Sequence, residues 1–291
     1  MNVPMPSLAV PNATTTENSS IGSVLLELGK ISPESAERVL RMQKELGIRF
    51  GEAAIRLGLI TEADIQQALA RQFDYPYLQE GESKYSEKLV AAYQPFTPQV
   101  ETLRAVRSQL MLRWFAQGRK SLAIVSLDAD DGAGIFAANL AVVFSQLGEQ
   151  TVLVDGNLRQ PSQHQTFDLG SRAGLSDVLA GRATLDAVAR INSFVALSVL
   201  PAGTLPPNPQ ELLGREAFSR LNADLQARYD VVLYDAAAFS LGADALPVIA
   251  RAGGALVVVR KNSSRYNDVA AMVDRITQSG AVIVGTVLVD N

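Results

Sequence analysis

Two aspartates and one glycine-containing turn, all between residues 128 and 235, have the spacing of a phosphate-binding site. Asp155 and Asp235 each end an apolar, β-branched run, and the turn at residues 128–135 separates another such run from a helix-like stretch. A glycine-containing turn between a strand and a helix lets backbone N–H groups hold phosphate, while carboxylates at strand ends are ligands for Mg²⁺. This pattern predicts nucleotide binding. A structural role is the alternative, because acids at strand ends also cap the turns that follow.

The apolar runs that must position these residues recur from about residue 100 onward. They lie at residues 122–127, 151–154, 195–200, 231–234, 255–259 and 282–289, with amphipathic helical stretches between them. Runs that are apolar on both faces and alternate with helices are typical of a parallel sheet covered by helices on both faces. We therefore expect an α/β domain at residues 100–291, whose ligands bind at the carboxyl ends of the strands.

The turn at residues 128–135 lacks the side chains that hold a nucleotide in a working P-loop. In that loop a lysine reaches the β- and γ-phosphates, and a Ser or Thr hydroxyl binds Mg²⁺. This turn contains neither, and it carries Asp128, Asp130 and Asp131 instead. Unit charges ~4 Å apart interact by ~4 kcal/mol at an effective dielectric constant of 20, so these acids predict repulsion of a triphosphate. Phosphoryl transfer depends on neutralising that charge, and we expect it to be impaired.

The α/β segment resembles one group of P-loop NTPase-like proteins, the bacterial tyrosine kinases of polysaccharide export. The similarity is to the chain-length-determinant kinases of EpsG type, and the segments that carry it are 122–143, 151–167, 201–213 and 229–261. Residues 152–159 resemble the second Walker motif, and residues 231–235 resemble the Walker B motif. The resemblance places the P-loop lysine at Ala133, the Mg²⁺-binding serine at Gly134 and a loop glycine at Asp130.

The resemblance also implies a nucleotide site and a degenerate catalytic centre. It implies that Asp155 and Asp235 are relict catalytic residues. The implied nucleotide-binding residues are Asp130, Asp131, Gly132, Ala133, Gly134, Ile135, Asn157 and Arg159. The implied cofactor is ATP with Mg²⁺, provided that the loop still binds nucleotide, and no other metal site is expected.

The function that this combination favours is that of a pseudokinase. Such a protein would be a catalytically impaired regulator or scaffold in exopolysaccharide biosynthesis and chain-length control. The alternative is an active ATP-dependent protein tyrosine kinase of the same export system. A partition or positioning ATPase shares the Walker pattern, but the loop at residues 206–213 and the motif at residues 101–107 argue against it.

A charged motif ahead of the first apolar run could support assembly. Glu101, Arg104 and Arg107 are spaced by three residues, which places them on one face of a predicted helix. One interpretation is a solvated face with an intrahelical ion pair. The resemblance favours another, because the three match the family's Glu-x-x-Arg-x-x-Arg motif, which docks into the neighbouring subunit of a ring. The implied partners are a copy of this protein or an active kinase relative, and a membrane chain-length determinant of the polysaccharide co-polymerase class.

Residues 20–73 contain an internal repeat, with copies at 20–43 and 49–72. The simplest interpretation is a pair of helical hairpins that form an interaction module. The repeat also resembles the MshEN-like N-terminal domain of type II secretion and pilus ATPases, in which each copy contacts cyclic di-GMP. The residues that this resemblance assigns to the ligand are Ile21, Gly22, Leu25, Gly29, Leu40, Gln43, Arg49, Phe50, Gly51, Gly58, Leu69 and Gln72. Ser20 stands where the motif has an arginine, so weak binding is expected.

Composition bounds the location and the partners. Residues 1–19, rich in Pro, Asn, Thr and Ser, predict a disordered tail and no signal peptide, and the Pro- and Tyr-containing residues 74–99 predict a linker. No apolar stretch reaches the ~20 residues that span a bilayer, so we expect a cytoplasmic protein that a partner recruits to the inner membrane face. A net charge of -4 without a basic run argues against nucleic acid, and the lack of cysteine excludes thiolate metal sites.

Overall fold

The computed structural model describes residues 20–73, 75–79 and 81–290. The tail predicted at residues 1–19 lies outside the described residues. The chain divides into two compact units, residues 1–75 and residues 76–291. None of the helices in the described part of the chain is long and apolar enough to cross a membrane.

The first unit consists of four helices whose short–long–short–long order follows the internal repeat. They are α1 (Ile21–Glu27), α2 (Pro33–Leu46), α3 (Phe50–Arg56) and α4 (Glu62–Gln72). Ser32 and Thr61 precede the two long helices, and each side-chain oxygen accepts a hydrogen bond from the N–H three residues on. Such caps satisfy a backbone donor that the helix itself leaves open. Leu25, Val39 and Ala54 lie in the core that the four helices share.

The second unit is a seven-stranded sheet covered by helices. Its strands are β1 (Ser121–Ser126), β2 (Thr151–Asp155), β3 (Ala189–Arg190), β4 (Leu197–Leu200), β5 (Val231–Asp235), β6 (Gly254–Arg260) and β7 (Val282–Val289). Its helices are α5 (Val90–Tyr93), α6 (Pro98–Arg113), α7 (Ala133–Gln146), α8 (Gln163–Thr166), α9 (Leu175–Leu179), α10 (Pro209–Gly214), α11 (Glu216–Arg228), α12 (Ala245–Ala252) and α13 (Tyr266–Gln278).

The sheet has the order β3-β4-β2-β5-β1-β6-β7, and among these strands each pairing is parallel except that of β3 with β4. Alternate residues of β1 enter two hydrophobic cores. Leu122 and Ile124 pack in the core that contains α6 and α7, whereas Ala123 and Val125 pack in the core that contains α11 and α12. Two-sided burial is why the strands read as continuous apolar runs. The α/β fold predicted from the sequence is confirmed, and the short antiparallel β3 is an addition to it.

The structure differs from the linker predicted at residues 74–99. Leu78, Leu89 and Ala92 are buried in the hydrophobic core of the second unit. The side chain of Asn139 in α7 accepts a hydrogen bond from the N–H of Ala91 at 2.8 Å and donates to the carbonyl of Lys88 at 2.9 Å. Proline and glycine in this stretch indicate an irregular backbone, which is compatible with close packing once the backbone polar groups have partners. The stretch is therefore a layer of the second unit.

Candidate functional site

The turn predicted as a P-loop lies between β1 and α7, which is the context that such a loop requires. After β1 the chain makes a single 3₁₀ turn at Ala129–Asp131, and α7 begins at Ala133. Gly132 joins the two with a φ of 78°, a left-handed conformation that glycine adopts without steric cost. The first turn of α7 therefore presents its open backbone N–H groups at the carboxyl edge of the sheet.

The three acids of this turn are directed away from the cleft beside it. Asp131 is buried, and its carboxylate accepts a hydrogen bond from the N–H of Asp128 at 3.0 Å. Asp128 lines a separate cavity of about 350 Å³, together with Asp268 and Arg275. The side chain of Asp130 is exposed. None of the three aspartates lines the cleft, so their repulsion of a phosphate acts over a longer distance than the sequence predicts. What the turn lacks is attraction.

The cleft next to α7 has a volume of about 380 Å³ and is bordered by the turn, by the segment after β2 and by the end of β5. Gly132, Ala133 and Gly134 line it from the turn, as the sequence predicts for a phosphate site. Lys88 is the one basic residue among the described residues that line this cleft, and it comes from the stretch that the sequence analysis assigned to a linker. Its side chain is exposed, so its charge is strongly screened by water.

Asp155 and Asp235 lie side by side at the ends of β2 and β5, where they are register partners. Both are fully buried. Burial raises the pKa of Asp155 well above its ordinary value, and the charge of Asp235 raises it further, against hydrogen bonds from backbone N–H groups. Burial also raises the pKa of Asp235 to about 6, although a hydrogen bond from Gln163 opposes that change. Among the described residues, no basic side chain forms an ion pair with either acid.

Gln163 is the residue that holds the two carboxyl groups. Its backbone N–H and that of Ser162 donate to Asp155 Oδ2, at 2.9 and 3.0 Å. Its side-chain Nε2 donates to Asp235 Oδ2 at 2.7 Å and to the carbonyl oxygen of Gly134 at 3.0 Å. The side chain is wholly buried. Sequence reasoning missed Gln163, because a single glutamine in a short loop carries no signal that it will be enclosed.

The residues around Asp235 do not fit a bound Mg²⁺. Mg²⁺ requires a near-octahedral set of oxygen ligands at about 2.0–2.1 Å. Gly134 supplies no hydroxyl, and the oxygen of Asp235 that faces it accepts the amide of Gln163. A Cβ added at Gly134 would lie 3.0 Å from Asp235 Oδ2 and 3.1 Å from Ser162 Oγ. A serine side chain at position 134 would therefore be in tight contact with these two oxygens.

Two further residues assigned to the nucleotide site serve the local fold. Asn157 lines the cleft, and its Oδ1 accepts a hydrogen bond from the N–H of Gln160 at 3.0 Å. Arg159 is not among the residues that line the cleft. Its guanidinium forms a two-point ion pair with the buried Asp244, with Nη2 lying 3.3 Å from Oδ1. That contact fixes the loop after β2 to the start of α12. The assignment of Arg159 to the nucleotide stays a prediction.

The assembly motif lies on α6, as predicted. Glu101 and Arg104 form an ion pair on this helix, which is the intrahelical alternative that the sequence allowed. Arg107 Nη1 donates to the carbonyl oxygen of Val143 at 2.7 Å, and this bond ties α6 to α7. Arg107 therefore supports the fold within its own subunit, whereas the exposed Glu101 remains at the surface.

In the first unit, one pair of repeated glycines, Gly22 and Gly51, is covered by side chains of the same unit. A Cβ at Gly22 would lie 3.2 Å from the ring of Phe50, and a Cβ at Gly51 would lie 2.6 Å from Ile65 Cδ1. These two glycines permit helices to pack closely, a role that the sequence analysis had given to ligand approach. Arg49 is exposed.

The other residues assigned to cyclic di-GMP differ in backbone conformation and in burial. Gly29 and Gly58 have φ of 66° and 67° just after short helices, which is the left-handed conformation of a helix end. Leu25 is buried, and Leu40 and Leu69 are exposed. The half-buried members of the set are Ile21, Gln43, Phe50 and Gln72.

Several known proteins that are similar to this chain in sequence or structure are bacterial tyrosine kinases. The chain is 30% identical over 188 residues to the putative tyrosine-protein kinase CapB of Staphylococcus aureus, an alignment that covers 65% of this chain and 82% of CapB. It is also 30% identical over 209 residues to the tyrosine-protein kinase wzc of Salmonella typhimurium, covering 72% of this chain but 29% of that longer relative. Among solved structures, the kinase domain of the Escherichia coli tyrosine kinase ETK superposes with a TM-score of 0.68 at 28% identity, covering 74% of this chain and 84% of that domain. No protein-family model matches the chain.

The fold and the strand–turn–helix cleft define the second unit as a P-loop NTPase-like α/β domain. With CapB matched over most of its length, the chain belongs to the family of bacterial tyrosine-protein kinases. The resemblance stated from the sequence is confirmed at the level of this family.

Proposed function

We propose that this protein is a kinase-like regulator or scaffold of exopolysaccharide synthesis and chain-length control that does not itself transfer phosphate. The observation that carries the proposal is the start of α7. Ala133 and Gly134 supply neither a cation nor a hydroxyl there, and both line the cleft where phosphates would lie. Membership of the kinase family supports the biological context, since the resemblance from the sequence is to kinases of polysaccharide export.

The physical reason concerns the transition state. Phosphoryl transfer is catalysed mainly by positioning and by groups that neutralise charge on the transferred phosphoryl group. Preorganised donors and cations act strongly because they are fixed before the reaction. Among the described residues that line this cleft, the one cation is the exposed Lys88, and the other acidic or basic side chain is the buried carboxyl group of Asp235. Each missing 1.36 kcal/mol of stabilisation slows the reaction about tenfold.

The test is tyrosine phosphorylation by the purified full chain with Mg-ATP. We expect no phosphotyrosine on the protein or on an added tyrosine-containing peptide. The matched control is Asp155→Ala, which distinguishes the protein's own activity from that of a contaminating kinase. Phosphotyrosine that forms with the native chain and disappears in Asp155→Ala would establish the alternative, an active ATP-dependent protein tyrosine kinase.

The proposed partners follow from the same family. A regulator without activity must act by binding, and the candidates are a membrane chain-length determinant, an active kinase relative and further copies of this chain. Binding to the membrane determinant would recruit the protein from the cytoplasm to the inner membrane face. The exposed Glu101 and its partner Arg104 on α6 are the proposed docking residues. The first unit is proposed as an interaction module, with cyclic di-GMP as its candidate ligand.

A further inference from the structure

We infer that the side-chain amide of Gln163 takes the place of a divalent cation in the cleft, so that Gln163 is the residue that excludes metal from the Asp155–Asp235 pair. The inference rests on the proposed function and deepens it, because it explains how a P-loop-like cleft keeps two buried acids without the metal that a kinase would use.

The first observation is the position of the amide nitrogen. Nε2 of Gln163 carries two hydrogens, and two acceptors receive them: Asp235 Oδ2 at 2.7 Å and the carbonyl oxygen of Gly134 at 3.0 Å. The nitrogen thus connects the end of β5 to the first turn of α7. A cation in this place would have to bind the same carboxylate oxygen.

The second observation is that one residue serves both carboxyl groups. The backbone N–H of Gln163 donates to Asp155 Oδ2 at 2.9 Å while its side chain donates to Asp235. Hydrogen bonds to a carboxylate favour its charged form and replace part of the hydration that burial removes. Gln163 therefore performs the compensating role that a metal performs in other sites, with donors in place of charge.

The third observation is the cost of displacement. The side chain of Gln163 is wholly buried. A metal that entered would turn the two N–H donors of the amide away from their acceptors, and buried donors without hydrogen bonds are strongly disfavoured. Gly134, with no side chain, offers no new oxygen ligand in exchange. The geometry consequently favours the closed arrangement over metal binding.

The test is Mn²⁺ binding by the full chain, followed by the loss of the electron paramagnetic resonance signal of free Mn²⁺. We compare the native protein with Gln163→Ser, which removes both amide donors and leaves space beside Asp235. The matched control is Gln117→Ser, an exposed glutamine that does not line this cleft. The expected result is that Gln163→Ser binds Mn²⁺ at least tenfold more tightly than the native protein and the control, and that adding Asp155→Asn to Gln163→Ser removes the gain.

Two results would overturn the inference. One is native protein that binds Mn²⁺ as tightly as Gln163→Ser; the other is a folded Gln163→Ser, verified by circular dichroism, that gains no affinity. If Gln163→Ser does not fold, the melting temperature of the native protein is measured with and without Mn²⁺. The inference requires that Mn²⁺ leaves this temperature unchanged. A rise in the melting temperature that Asp235→Asn abolishes would contradict the inference. Metal binding by the native protein would not by itself contradict the proposed function, because Ala133 would still contribute no charge to the cleft. The phosphotyrosine assay would still test that function.

Discussion

Asp155 and Asp235 are register partners on adjacent parallel strands, and both side chains are closed off from solvent. Two carboxylates in such a place cannot both be charged without a strong opposing interaction, and the described residues around them provide hydrogen-bond donors and no cation. Burial therefore favours protonation of this pair and raises the pKa of both acids.

A dependence of stability on pH follows. The pKa of Asp235 is about 6 in the folded protein against 3.8 ordinarily, so the folded state binds more protons and its stability falls as pH rises from about 4 through 6. The cost, fully present above the folded pKa, is on the order of 2–3 kcal/mol. We expect Asp235→Asn to be more stable than the native protein at about pH 8 and no more stable at about pH 4. Urea unfolding at both values measures this, and parallel curves for the two proteins would contradict it.

Restoring the P-loop side chains should recover nucleotide affinity. Ala133→Lys with Gly134→Ser and Asp130→Gly returns a charge-assisted contact worth ~1.5–3 kcal/mol, or about ten- to a hundredfold in affinity for ATP. Because Asp130 does not line the cleft, Asp130→Gly alone is the matched control and should change nothing. Calorimetric titration with ATP measures the effect. A triple variant that binds no better than the control would show that the turn is not shaped to hold phosphates.

The charged face of α6 should contribute to association. Replacing Arg104 and Arg107 with alanine is expected to weaken self-association or binding to a kinase relative. Arg107 also donates to the carbonyl of Val143, so its replacement should lower the melting temperature as well. Arg104→Ala alone is therefore the cleaner variant, with the exposed Gln109→Ala on the same helix as its control. An unchanged sedimentation profile for Arg104→Ala, together with unchanged capture of a kinase relative, would rule out the docking role.

The prediction for the first unit is that it binds cyclic di-GMP. Arg49→Ala should abolish binding, and Ser20→Arg should tighten it about ten- to a hundredfold, the worth of one charge-assisted hydrogen bond. Arg56→Ala is the matched control, because Arg56 is paired with Glu52 on its own helix. Titration of the full chain by calorimetry decides. No heat at millimolar ligand in either the native protein or Ser20→Arg would leave the interaction module standing alone.

The sequence predicted the sheet well because burial on both faces makes each central strand a continuous apolar run, and the acids at strand ends then meet by topology. The sequence did not predict the directions in which individual side chains point. Nothing in the order of residues 128–131 shows that their carboxylates turn from the cleft, and nothing marks Arg159 as the partner of Asp244. Gln163 escaped notice for the same reason, since enclosure is a property of the folded environment.

The hydrogen bonds that Asn139 makes to residues 88 and 91 bear on where this domain can be cut. The same helix reaches further back, because Gln146 Nε2 donates to the carbonyl of Pro76 at 2.9 Å. A protein shortened to begin at residue 100, the boundary that sequence composition favours, would remove the partners of Asn139 at residues 88 and 91 and the acceptor of Gln146 at Pro76, and would uncover the core beneath Leu89. A protein that begins at residue 76 keeps every one of these contacts, so truncation tolerance should change abruptly between the two starting points.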